Sequence, residues 1–118
     1  RYSAQKYTEG KSKPDFIFPS IDDYHDPKFP VARLTMLGAK TTIKERWRQV
    51  LDEADRIEDK HLVTLEPAVS EDYTRAMAKD RLSFVVPSSL FETYTPAQRE
   101  WLMSVNDFCR LVEARQHE

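Results

Sequence analysis

Apolar positions along the chain follow two rhythms, short alternating runs typical of strands and three-to-four-residue spacings typical of helices. Residues 2–8, with Tyr2, Tyr7 and Thr8, read as a strand, and residues 10–14 as a polar turn. Asp15-Phe16-Ile17-Phe18 reads as a second short strand closed by Pro19, and the pair predicts a hairpin. Residues 20–30 carry Asp22, Asp23, Asp26, Pro27 and Pro30 and predict an irregular loop. Over residues 31–39 a strand is expected, with Leu34, Met36, Gly38 and Lys40 on one face and Thr35, Leu37 and Ala39 on the other. From Ile43 to about Ile57 the apolar stripe Ile43, Trp47, Val50, Leu51, Ala54 and Ile57 predicts a helix, opened by a Thr42–Glu45 capping box and flanked by Arg46, Gln49 and Glu53. Strands over 61–65 and 82–86, a helix near 70–79, a loop over 87–94 and a final helix over about 96–114 complete the reading. That final helix should carry Trp101, Leu102, Val105, Phe108, Cys109 and Val112 on one side. Strands separated by helices after residue 30 predict an α/β fold with a mixed central sheet flanked by helices.

A chain of 118 residues suits one domain, expected to span residues 1–118. Hydrophobic residues at 40 % against 32 % charged residues support one modest core. The net charge of −2 excludes nucleic-acid binding through bulk positive charge, so any such contact must come from a local cluster. The densest cluster is Lys40, Lys44, Arg46 and Arg48. Cys109 is the sole cysteine, which excludes an internal disulfide and suits a reducing compartment. With no signal peptide and no apolar run long enough for a bilayer, a soluble cytoplasmic protein is expected, with no membrane partner. The first residue is Arg1, and a piece of a longer protein is the expectation.

The cluster lies where a strand is expected to give way to a helix, and a helix N-terminus favours anions. Lysines on both sides of that junction point to phosphate. Asp15 upstream and Glu53 downstream supply carboxylates for a divalent cation. The chemistry that uses both is phosphodiester hydrolysis, for which Mg²⁺ needs only one or two carboxylates and keeps several waters. The backbone carbonyl of Ala39 is a candidate third oxygen ligand, and Lys40 the group that contacts the phosphate and orients the attacking water. Blander readings stand beside these. Asp15 suits a turn, Glu53 a solvated helix flank and Lys40 a sheet edge. Trp47 and Cys109 read as core packing, and His61 as a packed or capping residue.

With Lys13-Pro14-Asp15-Phe16-Ile17-Phe18-Pro19, Tyr24-His25-Asp26, Leu37-Gly38-Ala39-Lys40-Thr41-Thr42 and Lys44-Glu45-Arg46-Trp47-Arg48-Gln49-Val50-Leu51 in order, the chain resembles the catalytic core of EcoRII-type restriction endonucleases. That family falls within the PD-(D/E)XK nuclease superfamily. The resemblance runs on through Lys60-His61-Leu62 and Val85-Val86-Pro87. It implies a restriction-endonuclease-like core without its N-terminal helical part, and a Mg²⁺-dependent, site-specific deoxyribonuclease. Asp15 takes the place of the metal-binding aspartate and Lys40 that of the motif lysine. The residue two before Lys40 is usually acidic, but here it is Gly38, and Glu53 stands where that acid has migrated in the resembled subgroup. Lys44 corresponds to a residue viewed both as a second catalytic lysine and as a base reader. Lys44, Glu45 and Arg46 match a segment that reads C·G pairs, a task suited to cationic donors and a carboxylate acceptor. Tyr24 matches a tyrosine near the active site, and Ile43 stands where relatives often carry Cys. The resemblance further implies duplex DNA with outer CC and GG dinucleotides, cut by a homodimer. A catalytically silent DNA-binding relative and an unrelated small α/β interaction domain are the alternatives.

Overall fold

The computed structural model describes residues 3–4, 15–43 and 47–116. Among them lies a sheet of five strands in the order β1 (Ser3–Ala4), β2 (Phe16–Phe18), β3 (Thr35–Ala39), β4 (Lys60–Val63) and β5 (Leu82–Val85). The first two strands form the expected antiparallel pair, with Ser3 opposite Ile17. β2 also runs antiparallel to β3, placing Phe16 opposite Leu37 and Phe18 opposite Thr35. β3, β4 and β5 are mutually parallel, with Gly38 opposite Leu62 and Leu62 opposite Phe84. The sheet is therefore mixed, as the spacing of strands and helices predicts.

Period-2 alternation sends the two faces into separate cores. On one face Ile17, Met36, Leu62, Leu82 and Phe84 pack with Trp47, Val50, Ile57 and Met77. Met77 comes from α2 (Glu71–Lys79), which begins at Ser70 and crosses from β4 to β5. On the other face Phe108 and Val112 of a C-terminal helix pack on Val85, with Phe18, Leu37, Val63 and Met103 around them. The Phe18 and Phe108 rings meet edge to face at 5.7 Å. Each core thus covers one side of strands whose ends are left to carry the site.

Val31–Arg33 form a 3-10 turn ahead of β3 rather than strand, and Ser88–Thr93 a 3-10 segment within the expected loop. Four further expectations are corrected. The acidic segment after Pro19 is not wholly irregular. It holds a short helix, α1 (Ile21–His25), because Ser20 accepts the Asp23 N–H and Asp22 and Asp23 lie favourably in its first turn. The helix expected from 43 to 57 is, among the described residues, a 3-10 segment, Trp47–Asp52. Its apolar stripe is buried as expected, but Ala54 adopts φ 55 and reverses the chain. The Lys60 ammonium takes the Ala54 and Ile57 carbonyls at 3.0 and 2.5 Å. A continuing helix would have used those carbonyls for its own N–H groups. The single C-terminal helix is two, α3 (Pro96–Arg99) and α4 (Val105–Gln116). Between them Met103 joins the sheet edge, donating to Phe84 O and accepting from Val86 N. Finally, Cys109 is exposed rather than part of the core.

Candidate active site

The site forms where β3 ends. The antiparallel register puts the residue before Phe16 beside Gly38, and there the Ala39 N–H donates to Asp15 Oδ2 at 2.6 Å. Lys40 follows directly. Its own N–H donates to Val63 O, which fixes the backbone at the C-terminal ends of parallel β3 and β4. The crevice outside such strand ends is where open α/β sheets bind ligands. A cleft of about 590 Å³ occupies it, lined by Ala39, Lys40 and Thr41 on one side and Val63, Leu65, Glu66 and Pro67 on the other.

Glu53 reaches the same place from the opposite direction. The Trp47–Asp52 segment carries it past β3, and its Oε2 lies 4.0 Å from Lys40 Nζ with both side chains largely buried. Gly38 makes that approach possible. A Cβ at residue 38 would stand 2.9 Å from Val50 Cγ2 and 3.4 Å from Glu53 Oε1. The space of a side chain on Gly38 is thus occupied by Val50 and by the Glu53 carboxylate. Position 38 cannot hold the acid, and an acid from the next segment fills its place.

Burial raises the Glu53 pKa to about 7; the Lys40 charge opposes the rise and the Asp15 charge adds to it. Asp15 and Lys40 therefore both act electrostatically on Glu53. Glu53 Oε1 is buried with no hydrogen-bond partner among the described residues. A carboxylate left with an unpaired buried oxygen, beside a second carboxylate, is a donor set short of a cation. Among the described residues no group of three or more His, Cys, Asp or Glu gathers to cage a metal. Two carboxylates and a strand-end peptide suit Mg²⁺, which keeps most of its waters, better than an ion that needs a full protein cage.

The structure thus brings together Asp15, Ala39, Lys40 and Glu53. Lys44, Glu45 and Arg46 lie outside the described residues, and so does the expected Thr42–Glu45 capping pair. The residues flanking the tripeptide, Ile43 and Trp47, are both buried, and Trp47 belongs to the core as read, with the Arg48 guanidinium 4.5 Å over its ring. Tyr24 is buried, and its hydroxyl accepts the Arg56 N–H at 3.1 Å. His61 packs, as read, edge to face on Phe108.

Three site neighbours escaped the sequence reading: Glu66, Arg56 and Lys60. Glu66 Oε2 accepts the Ile43 N–H at 3.2 Å and so ends the anion-attracting turn with a carboxylate. Arg56 and Lys60 hold the turn after Glu53. A charged residue that satisfies main-chain carbonyls leaves no periodic signal, and the Lys60 targets come together only where the chain reverses at Ala54.

Comparison with known proteins gives a consistent picture. Residues 1–109 match the family described as EcoRII C terminal. Over 107 residues the chain is 50 % identical to the type II restriction enzyme EcoRII of Escherichia coli, covering 91 % of this chain and 26 % of that protein. The chain therefore spans about a quarter of its curated relative. Two solved structures of metal-depleted Ecl18kI with uncleaved DNA, one of them modified, superpose with a TM-score of 0.78 at 21 % identity. They cover 98 % of this chain and 39 % of theirs, a likeness of fold.

Proposed function

Because the chain belongs to the EcoRII C-terminal family, we propose that it is the hydrolytic core of a site-specific deoxyribonuclease that cleaves phosphodiester bonds in duplex DNA with Mg²⁺. The observation that carries this reading is the convergence of Glu53 on Lys40, through the gap left by Gly38, beside the Asp15–Ala39 contact.

Asp15, Glu53 and the Ala39 carbonyl would hold the cation. When bound, it supplies charge neutralisation at the phosphate and a more acidic water. The protein's own groups do the rest. Asp15 is oriented by the Ala39 N–H, which donates to one of its carboxylate oxygens. Lys40 projects from a strand end whose backbone is pinned to Val63, and its ammonium stabilises negative charge that grows on the phosphoryl oxygens. Glu53 is poised near neutrality, and the nearby cation of Lys40 favours its ionised form. Thr41, Leu65 and Pro67 line the cleft alongside. Lys44, Glu45 and Arg46 would read C·G pairs of a CC/GG-flanked site, with Lys44 the nearest further cation in the chain. A two-fold target implies a homodimer. No helix among the described residues is long and apolar enough to cross a membrane. A DNA-cutting role would suit the cytoplasm, where the substrate lies.

Plasmid DNA incubated with the protein and Mg²⁺, followed by end-mapping of fragments, tests the reading. Cutting at CC…GG sites is expected. Asp15→Ala and Lys40→Ala should each lower the rate by at least about a hundred-fold while duplex binding persists. Binding without cutting at any Mg²⁺ concentration would instead identify a silent relative.

A further inference from the structure

The two carboxylates of the site arise on segments far apart in sequence, one before β2 and one after Trp47–Asp52. Something must hold those segments in register. Arg56, three residues beyond Glu53, does so with its guanidinium fork. It donates to the carbonyls of Tyr24 and Asp26, the latter at 3.2 Å, and through its other terminal nitrogen to Phe29 O at 2.9 Å. Its main-chain N–H donates to the Tyr24 hydroxyl, and its guanidinium carbon lies 5.5 Å from the Tyr24 ring centroid. These acceptors all sit on α1 and the loop after it, the continuation of the strand that Asp15 begins. Lys60 closes the same turn from within, through the Ala54 and Ile57 carbonyls.

We propose that Arg56 is a positioning residue for Glu53, tying the turn that follows Glu53 to the segment that follows Asp15 and so setting the spacing of both carboxylates around a divalent cation. The assignment rests on the two-carboxylate site proposed above. The fork is what matters. A lysine keeps the positive charge but cannot present donors to three carbonyls in one plane, so Arg56→Lys isolates the geometry. Partners that orient ligands typically change metal affinity by about 10–100-fold when lost. Tyr24 acquires a role in this arrangement without touching DNA, since its hydroxyl and carbonyl are both receptors for Arg56.

The test is Mn²⁺ binding by the full chain, followed by electron paramagnetic resonance with the metal alone, with thermal midpoints and metal-free duplex affinity read in parallel. Arg56→Lys should weaken Mn²⁺ binding by about ten-fold or more and leave duplex affinity within about two-fold. Tyr24→Phe removes one bond of the clamp and should produce a smaller loss in the same direction. Arg115→Lys serves as the structural comparison. That arginine donates to Leu34 O and Thr35 Oγ1 at the opposite end of β3, and its loss should lower the thermal midpoint without moving Mn²⁺ affinity. If Asp15→Asn abolishes Mn²⁺ binding while Arg56→Lys and Tyr24→Phe bind it as the wild type does, the clamp is wrong and the metal site stands. If Asp15→Asn binds Mn²⁺ as tightly as the wild type, the metal site itself is wrong and the clamp falls with it. Should Arg56→Lys fail to fold, Arg56→Gln, which keeps a planar donor but loses the fork, decides instead, unchanged Mn²⁺ affinity overturning the proposal.

Discussion

At the scale of single residues, Glu53 shows what it costs to bury a carboxyl where the proposed site needs one. Its carboxyl is driven from an ordinary value of 4.5 to about 7, chiefly by burial. Between those values the folded protein holds a proton that the unfolded chain releases. The contribution of Glu53 to stability is therefore complete below pH 4.5 and lost as pH rises through 7. Glu53→Gln should raise the thermal midpoint at pH 8 in the absence of divalent cations and leave it nearly unchanged at pH 4.5. A shift of this size, discounted for a carboxyl not wholly removed from solvent, is worth on the order of 1–2 kcal/mol. Calorimetric scans of both proteins across that range would check it. A wild type that is the more stable of the two at pH 8 would mean that Lys40 outweighs burial. A cation that favours the ionised form of Glu53 would offset this cost.

At the scale of elements, the strands were readable because short apolar runs bounded by Pro, Gly and acidic residues have few alternatives. The face assignments within β3 hold, with Met36 buried and Ala39 exposed at the mouth of the site, while Val31–Arg33 form a 3-10 turn. The helix from 43 to 57 was not readable as it stands. Its stripe would serve an α-helix equally well, and the reversal at Ala54 depends on a lysine six residues later. The break between α3 and α4 has the same character, since Met103 leaves the helix for a sheet edge that no local pattern announces. Of the site, Asp15 and Lys40 could be placed by strand ends and family pattern. Glu53 is the choice over Asp52 and Asp55 for its place on the flank of the apolar stripe, and the resemblance adds its role as the migrated acid. The packing explains that choice, because Gly38 opens a gap under one residue of the segment. Gly38→Ala should cost about 1–3 kcal/mol, since Val50 is buried, β-branched and unable to retreat. Adding Val50→Ala should make the double variant more stable than the sum of the single losses by at least about 1 kcal/mol. Denaturant unfolding of the four proteins measures this coupling, and strict additivity would mean that the contact at residue 38 yields elsewhere.

Across the whole molecule, two displaced titrations of opposite sign act on stability. His61, buried on β4 against Phe108, is lowered from 6.5 to about 4 by desolvation, with the Arg115 charge adding to the effect. It favours the folded state above pH 6.5 and surrenders that advantage as pH falls through 4, because the unfolded chain then binds a proton the folded one refuses. Glu53 does the reverse between 4.5 and 7. In the shared window from about 4.5 to 6.5 the two slopes oppose, so the intact protein should vary less with pH than either group dictates. Single variants uncover what the pair conceals. His61→Leu removes the acid-sensitive member, and its midpoint at pH 7 relative to pH 5 should fall below the wild-type difference. Glu53→Gln removes the other, and its difference should rise above that of the wild type. Each change corresponds to on the order of 1–3 kcal/mol across the window. Thermal unfolding of the three proteins at pH 5 and pH 7, in chelator, separates the contributions. Variants that move together in one direction would show that a global charge effect, rather than these two buried groups, governs the response. A divalent cation should then act on one slope only. By holding Glu53 ionised it would abolish the loss at neutral pH and leave the His61 limb untouched, which links the stability of the fold to occupation of the proposed site.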